Sequence, residues 1–137
     1  MIDYLSKDEY NQVILCQDME KRVLKRSLRY YINQLCVQRL STLEATIEAT
    51  SIIFGFNRKI PIYCSGDCLL APLQGLRGKR SLFINYYSIQ SIQYNKEYAE
   101  ITFTGLHVMR TCQGAALKKQ IDKCEKIITY MNIGAQI

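Results

Sequence analysis

The hydrophobic pattern of the chain changes period near Pro61. Between Asp18 and about Val37, Leu24, Leu28, Tyr31 and Leu35 recur at steps of four, three and four, which places them on one face of a helix. Lys21, Arg22, Lys25, Arg26 and Arg29 fall on the opposite face, and Asp18 and Glu20 occupy the first turn, where carboxylates complement the helix dipole. The stretch LSTLEATIEATSIIFGF predicts a second helix. Ser41 is its expected N-cap, with Glu44 three residues later completing a capping box, and Gly55 is its stop. Leu43, Ile47 and then Thr50 or Phe54 form its apolar face. Only Gln38 to Leu40 separate the two helices, so a hairpin or angled pair is expected. The same turn would fit a helix-turn-helix, but the second helix offers Glu44 and Glu48 and few basic side chains to a major groove.

After Pro61 the runs IPIYC, CLLAPL, SLFINYY, SIQSIQY, AEITFT and LHVMRT are strand-like, punctuated by SGD, QGLRGKR, NKEY and TG. They predict a mainly antiparallel sheet of about four to six strands. Pro72 marks an edge or a bulge. The final segment ALKKQIDKCEKIITYM carries Leu117, Ile121, Cys124, Ile128 and Met131 on one helical face, which needs a sheet or helix to cover it. The expected architecture is α+β in one domain: two N-terminal helices within a helical part spanning residues 1–57, then a sheet with a C-terminal helix packed on it over residues 58–137.

Composition fits this reading. A chain of 137 residues with 48% hydrophobic and 22% charged side chains can build one core. No apolar run is long enough to span a membrane, and MIDYLSKDEY is too polar for a signal peptide, so a cytoplasmic protein is expected. Charge then divides the chain. Residues 1–57 carry seven basic and seven acidic side chains, whereas residues 58–137 carry eleven basic and five acidic ones. The whole surplus of +6 therefore lies after Asn57, which suits a polyanion or an acidic protein surface as partner.

Candidate chemistry is sparse. The six cysteines belong to a chain without the features of a secreted disulfide scaffold, and Cys36 and Cys124 sit at apolar helix positions as small hydrophobes. Cys64 and Cys68 are spaced C-x3-C with no second pair, and His107 is the single histidine, so neither a metal site nor a cofactor is expected. No nucleophile elbow, P-loop, dinucleotide fingerprint or zincin motif occurs. No spacing couples Cys64 or Cys68 to His107, which reads as an ordinary strand residue, and a non-enzyme is expected. The loop QGLRGKRS is the strongest functional feature. Gly75 and Gly78 permit a close backbone approach, and Arg77, Lys79 and Arg80 offer three cations for phosphates or a narrow minor groove, against the plainer reading of a solvated hairpin tip. Arg58, Lys59, Lys118, Lys119 and Lys123 could extend it into a stripe. Tyr30, Tyr31, Tyr86, Tyr87, Tyr94 and Tyr98 are interleaved with basic segments, but tyrosines in strands are mostly packing groups.

The order of an S-T-x-E helix start, then KIPIY with Lys59, Pro61 and Ile62, an apolar run ending at Pro72, a basic loop, SLFINYYSIQSI, a TFTGL turn and a basic terminal helix resembles the ComK family of competence transcription factors. Ala45 and Thr46 stand where that family tends to carry Gly-Arg, and Ala71 where it has phenylalanine. The resemblance covers about two-thirds of the chain, Ser41 to Tyr130. It implies a cytoplasmic activator, of the kind found in low-GC Gram-positive bacteria, that binds paired AT-rich boxes of double-stranded DNA largely through the minor groove. Arg77, Lys79 and Arg80 would then enter or flank the groove, and Arg58, Lys59, Lys118, Lys119 and Lys123 would neutralise phosphates. Paired boxes would require a homo-oligomer. The alternative from another class is an interaction module or phage-borne inhibitor that grips an acidic protein or occupies a nucleic-acid channel, to which the Ala45 and Thr46 departures lend weight.

Overall fold

The computed structural model describes residues 1–74, 76 and 78–134. The elements run β1 (Ile2–Lys7), β2 (Val13–Gln17), β3 (Glu20–Leu24), α1 (Leu28–Val37), α2 (Leu43–Phe54), β4 (Ile62–Ser65), β5 (Cys68–Gln74) and β6 (Ser81–Asn85). A 3₁₀ turn (Tyr86–Ser88) leads to β7 (Ile89–Tyr94), β8 (Ala99–Phe103), β9 (Val108–Thr111) and α3 (Gly114–Gly134). The fold is α+β, with the two expected N-terminal helices, mainly antiparallel sheets and a C-terminal helix packed on them. All six strand-like runs after Pro61 are strands. No helix among the described residues is long and apolar enough to cross a membrane.

The N-terminal part departs from expectation, because it is not helical throughout. Residues 18–24 do not begin the first helix; they form a tight turn and an edge strand. Asp18 and Met19 both adopt positive φ, 52° and 71°, between the paired residues Gln17 and Glu20. That is the backbone of a two-residue hairpin whose twist matches its strands. β3 is exposed along Glu20, Lys21, Arg22 and Val23, a charged edge that leaves no apolar alternation to betray a strand. The helix starts instead at Leu28, capped by the Ser27 hydroxyl, which accepts from the Tyr30 amide at 3.1 Å. Its buried stripe is Leu28, Ile32 and Cys36. The cap of α2 likewise falls one residue later than expected. The Thr42 hydroxyl accepts from Ala45 N at 3.1 Å, while Glu44 pairs with Arg29 at 3.1 Å. Gly55, at φ 74°, ends the helix as expected.

The six-stranded sheet has the order β3-β2-β1-β6-β5-β4 and the second sheet the order β7-β8-β9. All pairings are antiparallel. Because β1 pairs with β6, the first 24 residues share one sheet with residues 62–85. Alternate side chains separate two faces. Leu5, Leu70 and Phe83 join Leu28, Ile32 and Leu43 of the helices on one side. Tyr4, Leu73 and Ile84 join Ile101 and Phe103 of the second sheet and Leu117 of α3 on the other. Leu69 and Ala71 meet Cys124 and Ile127 of α3 on that same side. β5 is covered on both faces, which is why its sequence is continuously apolar. Pro72 lies beyond the last residue paired with β4, and the register against β6 shifts beside it, so the bulge reading holds.

Asn85 closes the end of the sheet at the C-terminus of β6. Its fully buried carboxamide accepts from the amides of Leu69 at 3.0 Å and Tyr87 at 3.2 Å and donates to the carbonyls of Ile2 at 2.7 Å and Asp67 at 2.9 Å. Both donors and both lone-pair directions are used. A buried backbone group left unpaired costs about 1–3 kcal/mol, so Asn85→Ala should destabilise the protein by on the order of 4 kcal/mol in urea denaturation. A loss under about 1 kcal/mol would contradict the network.

Cys16, Cys36, Cys64, Cys68 and Cys124 are buried free thiols and Cys112 is exposed. An aromatic disulfide reagent should therefore titrate one fast thiol in the native protein, lost in Cys112→Ser, and all six after denaturation. Several fast native thiols would refute these burials.

Candidate nucleic-acid interface

The antiparallel pairing decides which turns share an end of the six-stranded sheet. Lys7 at the end of β1 is opposite both Val13 and Ser81, Val13 is opposite Leu24, and Gln74 at the end of β5 is opposite Leu82. The links that leave this end are therefore the β1–β2 turn with Asp8 and Glu9, residues 25–27, the connection from β5 to β6 and the stretch entering β4. They carry Lys25 and Arg26, Lys79 and Arg80, and Arg58 and Lys59, with Lys7 between them. Six strands at about 4.8 Å spacing make an end about 24 Å wide, the length of about seven base pairs.

Arg58 and Lys59 are brought to α3. Lys123 Nζ donates to the carbonyl of Arg58 at 2.8 Å and to that of Lys59 at 3.5 Å, and Gln120 Nε2 donates to the latter at 3.0 Å. Lys59 Nζ in turn donates to Leu73 O at 3.0 Å, near the end of β5 just before the basic loop. Lys119 lies one turn before Lys123 on the same face of α3. Burial, then the charges of Lys59 and Lys119, push the Lys123 ammonium below the ordinary lysine pKa. Among the described residues none of Arg58, Lys59, Lys119 and Lys123 forms an ion pair with a carboxylate.

The loop is fastened to the same end. Lys7 Nζ donates to Gly78 O at 3.1 Å, and Arg80 pairs with Glu9 at 3.4 Å. Asp8, the other acid there, accepts from the amides of Tyr10 and Gln12, both at 2.9 Å, inside the β1–β2 turn. Lys79 is exposed. Gly75 and Arg77 lie outside the described residues.

Lys118 leaves the group. Its Nζ sits 5.0 Å from the centre of the Tyr94 ring, on the side of α3 that carries Asp122 and Glu125. Its position one residue from Lys119 turns it about 100° away around the helix. Lys7, Lys25 and Arg26 are the additions, invisible in the sequence because only the β1–β2–β3 meander carries them to this end.

Most tyrosines pack as expected: Tyr31, Tyr86, Tyr87 and Tyr98 are half-buried. Tyr30 and Tyr94 are exposed, but cations cover rings here too, with Arg26 4.6 Å from Tyr30 and Arg110 4.8 Å from Tyr98. Cys64 and Cys68 lie in the cluster beneath the helices, on the opposite face from Phe103 and the His107 ring stacked on it at 4.8 Å. His107 is not a strand residue; it sits in the β8–β9 turn, where its carbonyl accepts from Phe103 N at 3.0 Å. Its side-chain neighbours are Asp3 and Cys16.

No family model, curated protein or solved structure matches the chain.

The Lys123 environment carries a pH signature. Its folded pKa lies below the unfolded value of 10.5, so just below pH 10.5 the unfolded chain binds more protons and this group makes stability rise with pH. The stability of the wild-type protein relative to Lys123→Met should accordingly increase as pH is raised from neutral towards 10.5. A flat difference in urea denaturation would remove the argument for crowded cations.

Proposed function

We propose that the chain is a DNA-binding transcriptional regulator of the competence-factor type, which lays the basic end of its six-stranded sheet along an AT-rich duplex. The observation that carries this reading is the crowding of Lys59, Lys119 and Lys123 where Lys123 holds the backbone of Arg58, none of the four paired with a carboxylate among the described residues, beside the loop holding Lys79 and Arg80. Crowding like charges is unfavourable in the free protein and becomes favourable when phosphates approach. The order of motifs shared with the ComK family supports the same reading.

In this arrangement the loop, with Arg77, Lys79 and Arg80, flanks or enters a narrow minor groove, whose negative potential favours arginine. Arg58, Lys59, Lys119 and Lys123 neutralise phosphates, with Lys7, Lys25 and Arg26 extending the track and Lys118 outside it. Binding to paired boxes in the cytoplasm would be by a homo-oligomer. The protein acts as a binder rather than an enzyme.

Anisotropy titrations on AT-rich and GC-rich duplexes of equal length at several salt concentrations test this. The AT-rich duplex should bind more tightly, and Lys119→Ala with Lys123→Ala should reduce the slope of log K against log salt by about 1.8, near 0.9 per lost phosphate contact. Replacing Lys79 and Arg80 by alanine should narrow the AT preference. Composition-blind binding with an unchanged slope would sink the reading and favour an acidic protein as the partner.

A further inference from the structure

At the opposite end of the six-stranded sheet, three side chains of different chemistry converge. A register shift in the β1–β2 pairing leaves Asp3 as an extra residue between Ile2 and Tyr4. Such a bulge re-aims side chains. Here the Asp3 side chain is only 4% exposed. Cys16 enters from β2, fully covered, and His107 reaches across from the β8–β9 turn. His107 Nε2 is 3.2 Å from Asp3 Oδ2, and Cys16 Sγ is 3.8 Å from each of them. No other group of three such residues among the described ones brings its ligand atoms this close, all within 4.8 Å of one another.

The arrangement is convergent. In a nucleophilic triad the imidazole relays between thiol and carboxylate through its two different nitrogens. Here both partners address Nε2, while Nδ1 is buried with no hydrogen-bond partner among the described residues, packed where a Cβ on Gly105 would come within 3.3 Å of it. The Cys16 thiol is also held above its ordinary pKa by burial and by Asp3, the reverse of an activated nucleophile. Thiolate, imidazole and carboxylate around one point are the donor set of a borderline-soft divalent ion. Bonds of about 2.0–2.3 Å in tetrahedral directions place such ligands about 3.3–3.6 Å apart. The observed separations differ from that by a few tenths of an ångström.

We propose that Asp3, Cys16 and His107 form a binding site for one zinc-like divalent cation that pins the β8–β9 turn to the β1–β2 hairpin. The fourth position is left for water on the side where His107 reaches the surface, its side chain 21% exposed. Part of an outer shell is present: the Ser88 hydroxyl donates to the other Asp3 oxygen. Metal entry displaces the thiol proton of Cys16 to solvent, so affinity rises with pH.

The test uses the full chain, stripped with a chelator and titrated with Co²⁺, then competed with Zn²⁺. One equivalent of Co²⁺ should produce a thiolate charge-transfer band and tetrahedral visible bands, which Zn²⁺ removes. Zn²⁺ should raise the Tm of the stripped protein. Cys16→Ser should abolish the charge-transfer band and Cys112→Ser should keep it. Asp3→Asn, nearly isosteric, and His107→Gln should each weaken Co²⁺ binding by about tenfold or more, with unchanged circular dichroism. If Cys16→Ser does not fold, the latter two variants decide. No charge-transfer band in the wild type, a band that survives Cys16→Ser, or undiminished affinity in both Asp3→Asn and His107→Gln would overturn the proposal.

Discussion

The carboxamide of Asn85 is the interaction on which the rest of the structure depends. Four backbone groups meet at one end of the six-stranded sheet, from β1, the β4–β5 turn, β5 and the 3₁₀ turn, and one side chain bonds all of them. A hydroxyl or a carboxylate could not, because two of the groups are acceptors and two are donors. Fixing Ile2 beside Asn85 sets the start of β1 and so the bulge at Asp3. Fixing Tyr87 sets the turn that carries Ser88 to the Asp3 carboxylate. The bond thus joins an N-terminal strand to a sheet whose other central members come more than sixty residues later.

That sheet separates charge along its strands. Because every neighbour is antiparallel, its turns alternate between two ends. One end collects Lys7, Lys25, Arg26, Arg58, Lys59, Lys79 and Arg80, and its two acids are engaged, Asp8 by turn amides and Glu9 by Arg80. The other end holds Asp3, Asp18, Glu20 and Asp67, with Lys21 beside Glu20 and the N-terminal ammonium paired with Asp18. For the proposed DNA partner, such a distribution would orient the approaching polyanion before contact, an effect of the summed field that no single pair provides.

The legibility of this fold from sequence follows the physics of each region. The strands after Pro61 announce themselves because apolar runs and Gly- or Pro-containing turns alternate there, and Gly55 marks the end of α2 because only glycine takes its positive φ at no cost. The first hairpin is hidden for the opposite reason. Its turn uses Asp18 and Met19, the second a residue that rarely adopts positive φ, and its outer strand is exposed and charged. Leu24, Leu28 and Leu35 keep a helical spacing across a true strand-to-helix boundary, so the period misleads by about ten residues. Of the basic groups, Lys119 and Lys123 follow from helical spacing to Arg58 and Lys59 only once α3 is docked, and Lys118 fails because adjacent helix residues diverge. Asp3, Cys16 and His107 have no spacing to read: a bulge, a strand and a distant turn bring them together.

The two ends also constrain how they can influence each other. Asp3 and Lys7 are four residues apart on β1, about 13 Å at about 3.3 Å per residue, so salt, which screens over about 8–10 Å, would weaken any field of a cation at the proposed site on phosphates at Lys7. A mechanical route runs along β1, which carries the bulge at Asp3 and ends at Lys7, whose ammonium holds Gly78. β1 is flanked by β2 and β6 and packed on both faces, so it transmits a change of register rather than a gradual bend. An ion that locks the bulge would therefore fix the register of β1 against β6 and, with it, the placement of the basic loop.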